Sequence, residues 1–198
     1  MTRAAHAAAL GLPDSMAISR LCDRATATRP AGAPLFWTLG ANQTGKAAIA
    51  AWRDWLGPEL RGPAAPALWP FMGDFKALLA EHAMVIAEAY PAEALRHLGL
   101  RLVGSKRRQS DRAALAAPLL AVLHDLNGTP TAGLLRAIAD GFGADAAGED
   151  RFDALIGVLG VVNVLEGRRT DGIPDDPWLR RWEGWVLGQT DIPNRLEG

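Results

Sequence analysis

Cysteine is almost absent from this sequence, since Cys22 is the only one among 198 residues. A single cysteine excludes a disulfide framework and a cysteine-rich zinc site. The four histidines show no ligand spacing, so a histidine-based metal centre is not indicated either. No apolar run approaches the roughly 20 residues of a membrane-spanning helix, and the N-terminal apolar stretch is too weak for a signal peptide. These absences favour a cytoplasmic protein with no membrane partner.

A strong charge of either sign is also missing, because the formal net charge is -1. This balance excludes an overall basic nucleic-acid binder, although it permits a local basic patch. A hydrophobic fraction of 49% is enough to bury a core, and it indicates one domain or most of one. Abundant alanine, glycine and arginine with little lysine is typical of a GC-rich bacterial genome. Composition leaves the oligomeric state open.

Local patterns predict an α/β chain that is rich in helix. Residues 83–87 read as the clearest buried strand, and residues 106–126 as a long helix that Pro118 breaks or kinks. A third pattern predicts a helix over residues 149–165, which is apolar nearly all round in its second half and is therefore expected to be central. Asp74 is a good N-cap for a helix over residues 75–82.

Three carboxylates stand where a protein can hold a metal ion over a phosphodiester. Glu88 follows the predicted strand, and open α/β sheets bind ligands at the carboxyl ends of their strands. Asp150 and Asp153 share one face at the start of a helix. All three also have a purely structural interpretation, because helix N-termini favour acids and strand ends are often solvated. If a metal is held, Mg²⁺ or Mn²⁺ is expected, because every donor is oxygen.

The densest basic group of the sequence lies between residues 96 and 112. Its members are Arg96, Arg101, Lys106, Arg107, Arg108 and Arg112. The helix dipole disfavours cations at the start of a helix, so the presence of Lys106, Arg107 and Arg108 there favours a functional role. They are predicted to contact a phosphate backbone. A solvated loop and helix end is the alternative interpretation.

A near match to a phosphate-binding loop runs from Gly40 to Ala47. The pattern G-x-x-x-x-G-K-[ST] fails at Ala47, where a hydroxyl should bind Mg²⁺. Nucleotide or phosphate binding at Gly40 to Lys46 is therefore an alternative function. The preferred interpretation places Gln43 and Lys46 on a substrate-facing loop, with Lys46 at a substrate phosphate, and in the simplest interpretation Gly45 is a turn glycine.

Three tryptophans, Trp178, Trp182 and Trp185, fall at helical spacing near the C-terminus. Their spacing predicts one stripe on a last helix that Asp176 caps. Such a stripe is usually core packing or a docking face.

Several segments, in this order along the chain, resemble a known family. They are Leu35–Gly40 with Gly45–Ala48, Glu88–Glu93, Lys106–Arg108, Asp150–Gly157 and Arg181–Trp185. Together they are similar to the predicted RNase H-like nucleases, a bacterial and archaeal family of unknown function, over about residues 33–189. The resemblance implies a ribonuclease H-like fold whose acidic residues come from the first strand, the fourth strand and the last core helix. It assigns Glu88 to the fourth-strand position, and Asp153 with Asp150 to the last-helix position.

One part of the family pattern is missing from this sequence. Family members begin with an apolar strand that carries an Asp, whereas the early aspartates here, Asp14 and Asp23, lie on no β-rich run. We therefore expect an irregular segment over residues 1–34 and a partial, N-terminally incomplete RNase H-like domain over residues 35–198, without the first antiparallel strands.

The function expected from the resemblance is Mg²⁺-dependent phosphodiester hydrolysis on nucleic acid. Glu88, Asp150 and Asp153 would be its catalytic and metal-binding residues. Lack of the first-strand Asp would weaken or abolish that activity, because two-metal chemistry needs carboxylates that bridge both ions. The alternative is a non-catalytic remnant or interaction module.

Overall fold

The computed structural model describes residues 3–13, 15–34 and 44–193. The α-helices of this part are α1 (Arg3–Ala9), α2 (Thr44–Ala51), α3 (Gly57–Glu59), α4 (Phe75–Glu81), α5 (Pro91–His97), α6 (Gln109–Ala113), α7 (Ala116–Asp125), α8 (Ala132–Ala139) and α9 (Ala147–Leu165). Short 3-10 helices cover Ser15–Ile18 and Leu21–Asp23, and π-helical segments cover Trp52–Leu56 and Leu179–Glu183. Within these residues no helix has both the length and the apolar character to cross a membrane.

The described residues contain one small parallel sheet, so the helix-rich α/β class is confirmed. Strand β1 (Ala67–Leu68) pairs with β2 (Val85–Ile86), and Ala67 lies opposite Val85. The predicted strand over residues 83–87 is therefore shorter than expected, and β2 is half-buried rather than buried. The strand predicted at Leu35–Leu39 lies outside the described residues.

Residue contacts divide the chain into two compact units. Unit 1 consists of Met1–Ala87, Pro174–Trp185 and Asp191–Gly198, and unit 2 of Glu88–Ile173 and Val186–Thr190. Residues 1–34, predicted from the sequence to form a separate segment, are grouped with unit 1. Glu88, Asp150 and Asp153 all belong to unit 2.

The core of unit 2 forms around α9, the central helix that the sequence predicts. Phe152, Ile156 and Leu159 are buried on one face of α9, at the spacing that an amphipathic helix requires. Helix α5 packs against α9 at Gly160, where an added Cβ would lie 2.8 Å from the Ala94 Cβ. The buried cluster comprises Ala94, Leu100, Leu115, Leu119, Leu123, Leu126, Ile138, Phe142, Phe152, Ile156 and Leu159.

The predicted helix over residues 106–126 is interrupted before its proline. Helix α6 ends at Ala113, and α7 starts at Ala116 after Leu115 leaves the helical region. Pro118 then lies in the first turn of α7, where its missing N–H has no intrahelical acceptor to lose. The predicted break at Pro118 is thus misplaced by a few residues. The interruption lies between Ala113 and Ala116, and Pro118 belongs to the first turn of the next helix.

The predicted tryptophan stripe is not a single helical face. The last helical segment ends at Glu183, and the φ of 78° at the following Gly184 is in the left-handed region that favours glycine. Trp185 follows this turn and is 1% exposed, whereas Trp178 and Trp182 are 64% and 63% exposed. The turn at Gly184 therefore separates one core tryptophan from two surface tryptophans in unit 1.

Candidate functional site

A charged cluster lies at the N-terminal end of α9 in unit 2. The Lys106 Nζ lies 2.5 Å from the Asp153 Oδ2 and 3.2 Å from the Glu149 Oε1. The Arg107 Nε lies 3.8 Å from the Glu149 Oε2. Glu149 and Asp153 are four residues apart and project from the same face of α9. Lys106 therefore bridges two carboxylates that one helical turn brings together.

A buried arginine fixes the backbone that carries Lys106. Arg112 is 1% exposed, and its guanidinium donates three hydrogen bonds to backbone carbonyls. The Nε donates to Gly141 O at 2.8 Å, the Nη2 to Gly143 O at 2.5 Å, and the Nη1 to Lys106 O. An added Cβ at Gly148, near the start of α9, would lie 2.5 Å from the Arg112 Nη2. Arg112 thus ties the Lys106 segment to the turn that leads into α9.

A second contact holds the turn that precedes α6. The Asp111 Oδ2 accepts a hydrogen bond from the Ser105 N–H at 2.8 Å and from the Arg108 Nε at 2.6 Å. The Ser105 N–H first, and then Arg108, lower the pKa of Asp111 below its usual value. Because both ends of the segment are fastened, the Lys106 side chain leaves from a positioned backbone. The three basic residues precede α6 rather than opening it as predicted.

The electrostatics of the cluster keep Lys106 charged. Partial burial acts to lower the pKa of Lys106, but the hydrogen bond and charge of Asp153, followed by those of Glu149, outweigh it and raise the pKa. Asp153 is itself 22% exposed. Its second oxygen, Oδ1, is buried and has no hydrogen-bond partner among the described residues. A buried carboxylate oxygen without a donor is costly, and a cation or a hydrogen-bond donor would satisfy it.

The other two predicted ligands occupy different surroundings. Asp150 is exposed, and it is Glu149 rather than Asp150 that contacts Lys106. Glu88 is half-buried, and its backbone forms a parallel bridge with Val186, within unit 2. Among the residues that the structure describes, no group of three or more His, Cys, Asp or Glu side chains is arranged to hold a metal ion. The described structure therefore shows a pair of carboxylates, not the predicted set of three.

The packing of α5 on α9 shows which end of α9 the Glu88 segment approaches. Ala94 of α5 meets Gly160 of α9. An added Cβ at Gly188 would lie 3.3 Å from the His97 Nδ1 and 3.5 Å from a Val164 methyl carbon, so His97, further along α5, lies near Val164, further along α9. The two helices therefore run in the same direction. Since Glu88 precedes α5 and Asp153 precedes Gly160, both carboxylates belong to the same end of this helix pair.

The remaining basic residues divide between the surface and the interior. Arg112, the last residue of the dense basic group, is buried and therefore lies in the interior. Arg96 pairs with the buried Glu93, within α5. Lys46 is exposed on α2 in unit 1. The first residues of the near phosphate-binding loop, Gly40 to Gln43, lie outside the described residues.

Fold and site together define a helix-rich α/β protein with a charged cluster at the start of its longest described helix. The family model described as "Protein of unknown function (DUF429)" matches residues 3–178, and the chain belongs to this family. No curated protein and no solved structure matches the chain.

Sequence reasoning missed Glu149 and the burial of Arg112. The spacing of Glu149 four residues before Asp153 is a signal that could have identified it. No comparable signal exists for Arg112, because two of its three acceptors lie 29 and 31 residues away along the chain.

Proposed function

We propose that this chain is a metal-dependent, nuclease-like protein that hydrolyses phosphodiesters in nucleic acid, on a fold related to ribonuclease H. One observation supports this proposal most: the carboxylate pair of Glu149 and Asp153 lies directly beside the cations Lys106 and Arg107. Carboxylates suit a hard divalent ion, and adjacent cations suit the phosphate that such an ion activates.

The residues present fit a magnesium or manganese ion. Both donors are carboxylates, and the Asp153 Oδ1 is a buried oxygen without a partner among the described residues. Mg²⁺ is commonly held by only one or two carboxylates, with waters and substrate phosphates as its other ligands. When bound, such an ion supplies a Lewis acid that activates water for attack on phosphorus. We propose Glu88 and Asp150 as further ligands, because both belong to unit 2, the unit that contains Glu149 and Asp153.

The chain's own residues would bind and orient the substrate. Lys106 and Arg107 would contact a phosphate next to the carboxylates, and Arg108 would contact its neighbour along the backbone. Arg112 would hold the Lys106 carbonyl and so position this segment. Cys22, the single cysteine of the chain, is buried, which agrees with the reducing cytoplasm that we propose as the protein's location.

Nuclease assays on single- and double-stranded DNA and RNA, with Mg²⁺ or Mn²⁺, test this proposal. Asp153→Asn should reduce cleavage at least about 100-fold, because even the outer partners of metal ligands contribute 10- to 100-fold. Asp125→Asn is the matched control, since Asp125 is an exposed aspartate at the end of α7. Glu149→Gln and Asp150→Asn show which carboxylate acts with Asp153. Cleavage that survives Asp153→Asn at the control rate would refute the site.

A non-catalytic interaction module is the second candidate. It is favoured by the absence, among the described residues, of a group of three metal-binding side chains. This candidate predicts nucleic-acid binding that Lys106→Ala weakens, with no cleavage by the wild type under any metal. Detectable cleavage that depends on Asp153 would exclude it.

A further inference from the structure

The Lys106 ammonium occupies the place where the proposed function requires a divalent ion. Its Nζ contacts both carboxylates, at 2.5 Å from Asp153 and 3.2 Å from Glu149. Both distances are within the 4 Å limit of an ion pair, so the ammonium contacts both carboxylates at once. An ion that took both carboxylates as ligands would meet a positive charge already in contact with them, and this charge would have to move away.

Two hydrogen bonds hold the backbone from which the Lys106 side chain reaches Glu149 and Asp153. The Arg112 guanidinium holds the Lys106 carbonyl, and Asp111 fastens the preceding turn through the Ser105 N–H. The side chain of Lys106 is 42% exposed, so it has room to swing away without unfolding its surroundings. A fixed backbone with a partly exposed side chain is what a displaceable contact requires.

We propose that Lys106 is a built-in counter-ion of the Glu149–Asp153 pair, which a divalent cation must displace before the site is loaded. This inference rests on the proposed function for its choice of ligand. It goes beyond the function by assigning Lys106 two positions: on the carboxylates without metal, and free to meet phosphate once the ion is bound. Lys106 thereby lowers the affinity for the metal, because its charge must leave the carboxylates before the ion can bind them.

Titration calorimetry of the full chain with MnCl₂ alone tests this inference without any activity measurement. Lys106→Met removes the charge while keeping an unbranched side chain, and it should tighten Mn²⁺ binding about tenfold, equivalent to about 1.4 kcal/mol. Lys106→Arg keeps the charge and should bind Mn²⁺ close to wild type. Lys76→Met is the matched control, because Lys76 is an exposed lysine on α4, and it should also match wild type.

The double variant Lys106→Met with Asp153→Asn shows where the ion binds, since it should lose the gain entirely. Lys106→Gln serves in place of Lys106→Met if circular dichroism shows that the latter does not fold. Affinity for Mn²⁺ that is no tighter in Lys106→Met or Lys106→Gln than in Lys76→Met would overturn the inference. A gain that persists in the double variant would also overturn it, because the ion would then be bound elsewhere. Loss of cleavage in Asp153→Asn is a separate result, which concerns only the proposed function.

Discussion

Substitution of Arg112 by methionine should remove a large part of the stability of unit 2. The guanidinium donates to the carbonyls of Lys106, Gly141 and Gly143, and the side chain is 1% exposed. Leaving a buried polar group without its partner costs about 1–3 kcal/mol. With three carbonyls affected, and water able to reach those near the surface, we expect a loss of about 3 kcal/mol in the free energy of unfolding. Methionine fills a similar volume, so a cavity contributes little.

Urea unfolding followed by circular dichroism measures this effect. For a denaturant dependence of about 2 kcal/mol per molar urea, the midpoint should fall by about 1.5 M. Arg112→Lys should recover less than half of the loss, because an ammonium cannot reproduce the planar fork of donors. Arg53→Met is the matched control, since Arg53 is exposed and pairs only with its exposed neighbour Asp54 among the described contacts. A midpoint for Arg112→Met that equals that of Arg53→Met would refute the proposed tie between Lys106 and α9.

Two further predictions concern other parts of the chain. Trp185→Ala should destabilise the protein by about 3–5 kcal/mol because the side chain is fully buried, whereas Trp182→Ala on the surface should cost under about 1 kcal/mol. The melting temperature of Trp185→Ala should therefore lie clearly below that of Trp182→Ala. Equal melting temperatures would contradict the burial of Trp185. Asp111→Asn should destabilise the turn at neutral pH but not at low pH. The Ser105 N–H and Arg108 lower the pKa of folded Asp111, so its contribution is present above the unfolded value of about 3.9 and is lost as the pH falls through the lower, folded value. The difference between the urea midpoints of wild type and Asp111→Asn should thus shrink as the pH is lowered below about 4, and a difference that stays constant down to about pH 2 would contradict this role.

Local signals in the sequence predicted the parts of the fold that depend on local chemistry. Asp74 accepts a hydrogen bond from the Lys76 N–H and starts α4, as an N-cap aspartate should. The long apolar pattern around Phe152 and Ile156 correctly predicted α9, because a repeat near 3.6 residues over several turns specifies one buried face. In both cases the interacting residues are close together in the chain.

Features that depend on distant partners were not predictable in this way. Arg112 reads as a surface cation, and only the turn at Gly141 to Gly143 makes it a buried donor. Trp185 fits a helical stripe by spacing, but Gly184 turns the chain before it. The pairing of Lys106 with Asp153 joins residues 47 positions apart, so the sequence could suggest each residue but not their contact. The RNase H-like fold and the nuclease function remain predictions that the resemblance and the charged cluster support.

The position of a bound metal ion decides whether Glu149 and Asp153 form the proposed metal site. Crystals of the full chain grown with MnCl₂, measured at a wavelength where manganese scatters anomalously, reveal the ion and its ligands together. We predict an anomalous peak about 2.1 Å from an oxygen of Asp153, with Glu149 as a second ligand and the Lys106 ammonium moved off both carboxylates. A manganese site elsewhere, or none at all, with Lys106 still in contact with Asp153 would refute the proposed metal site.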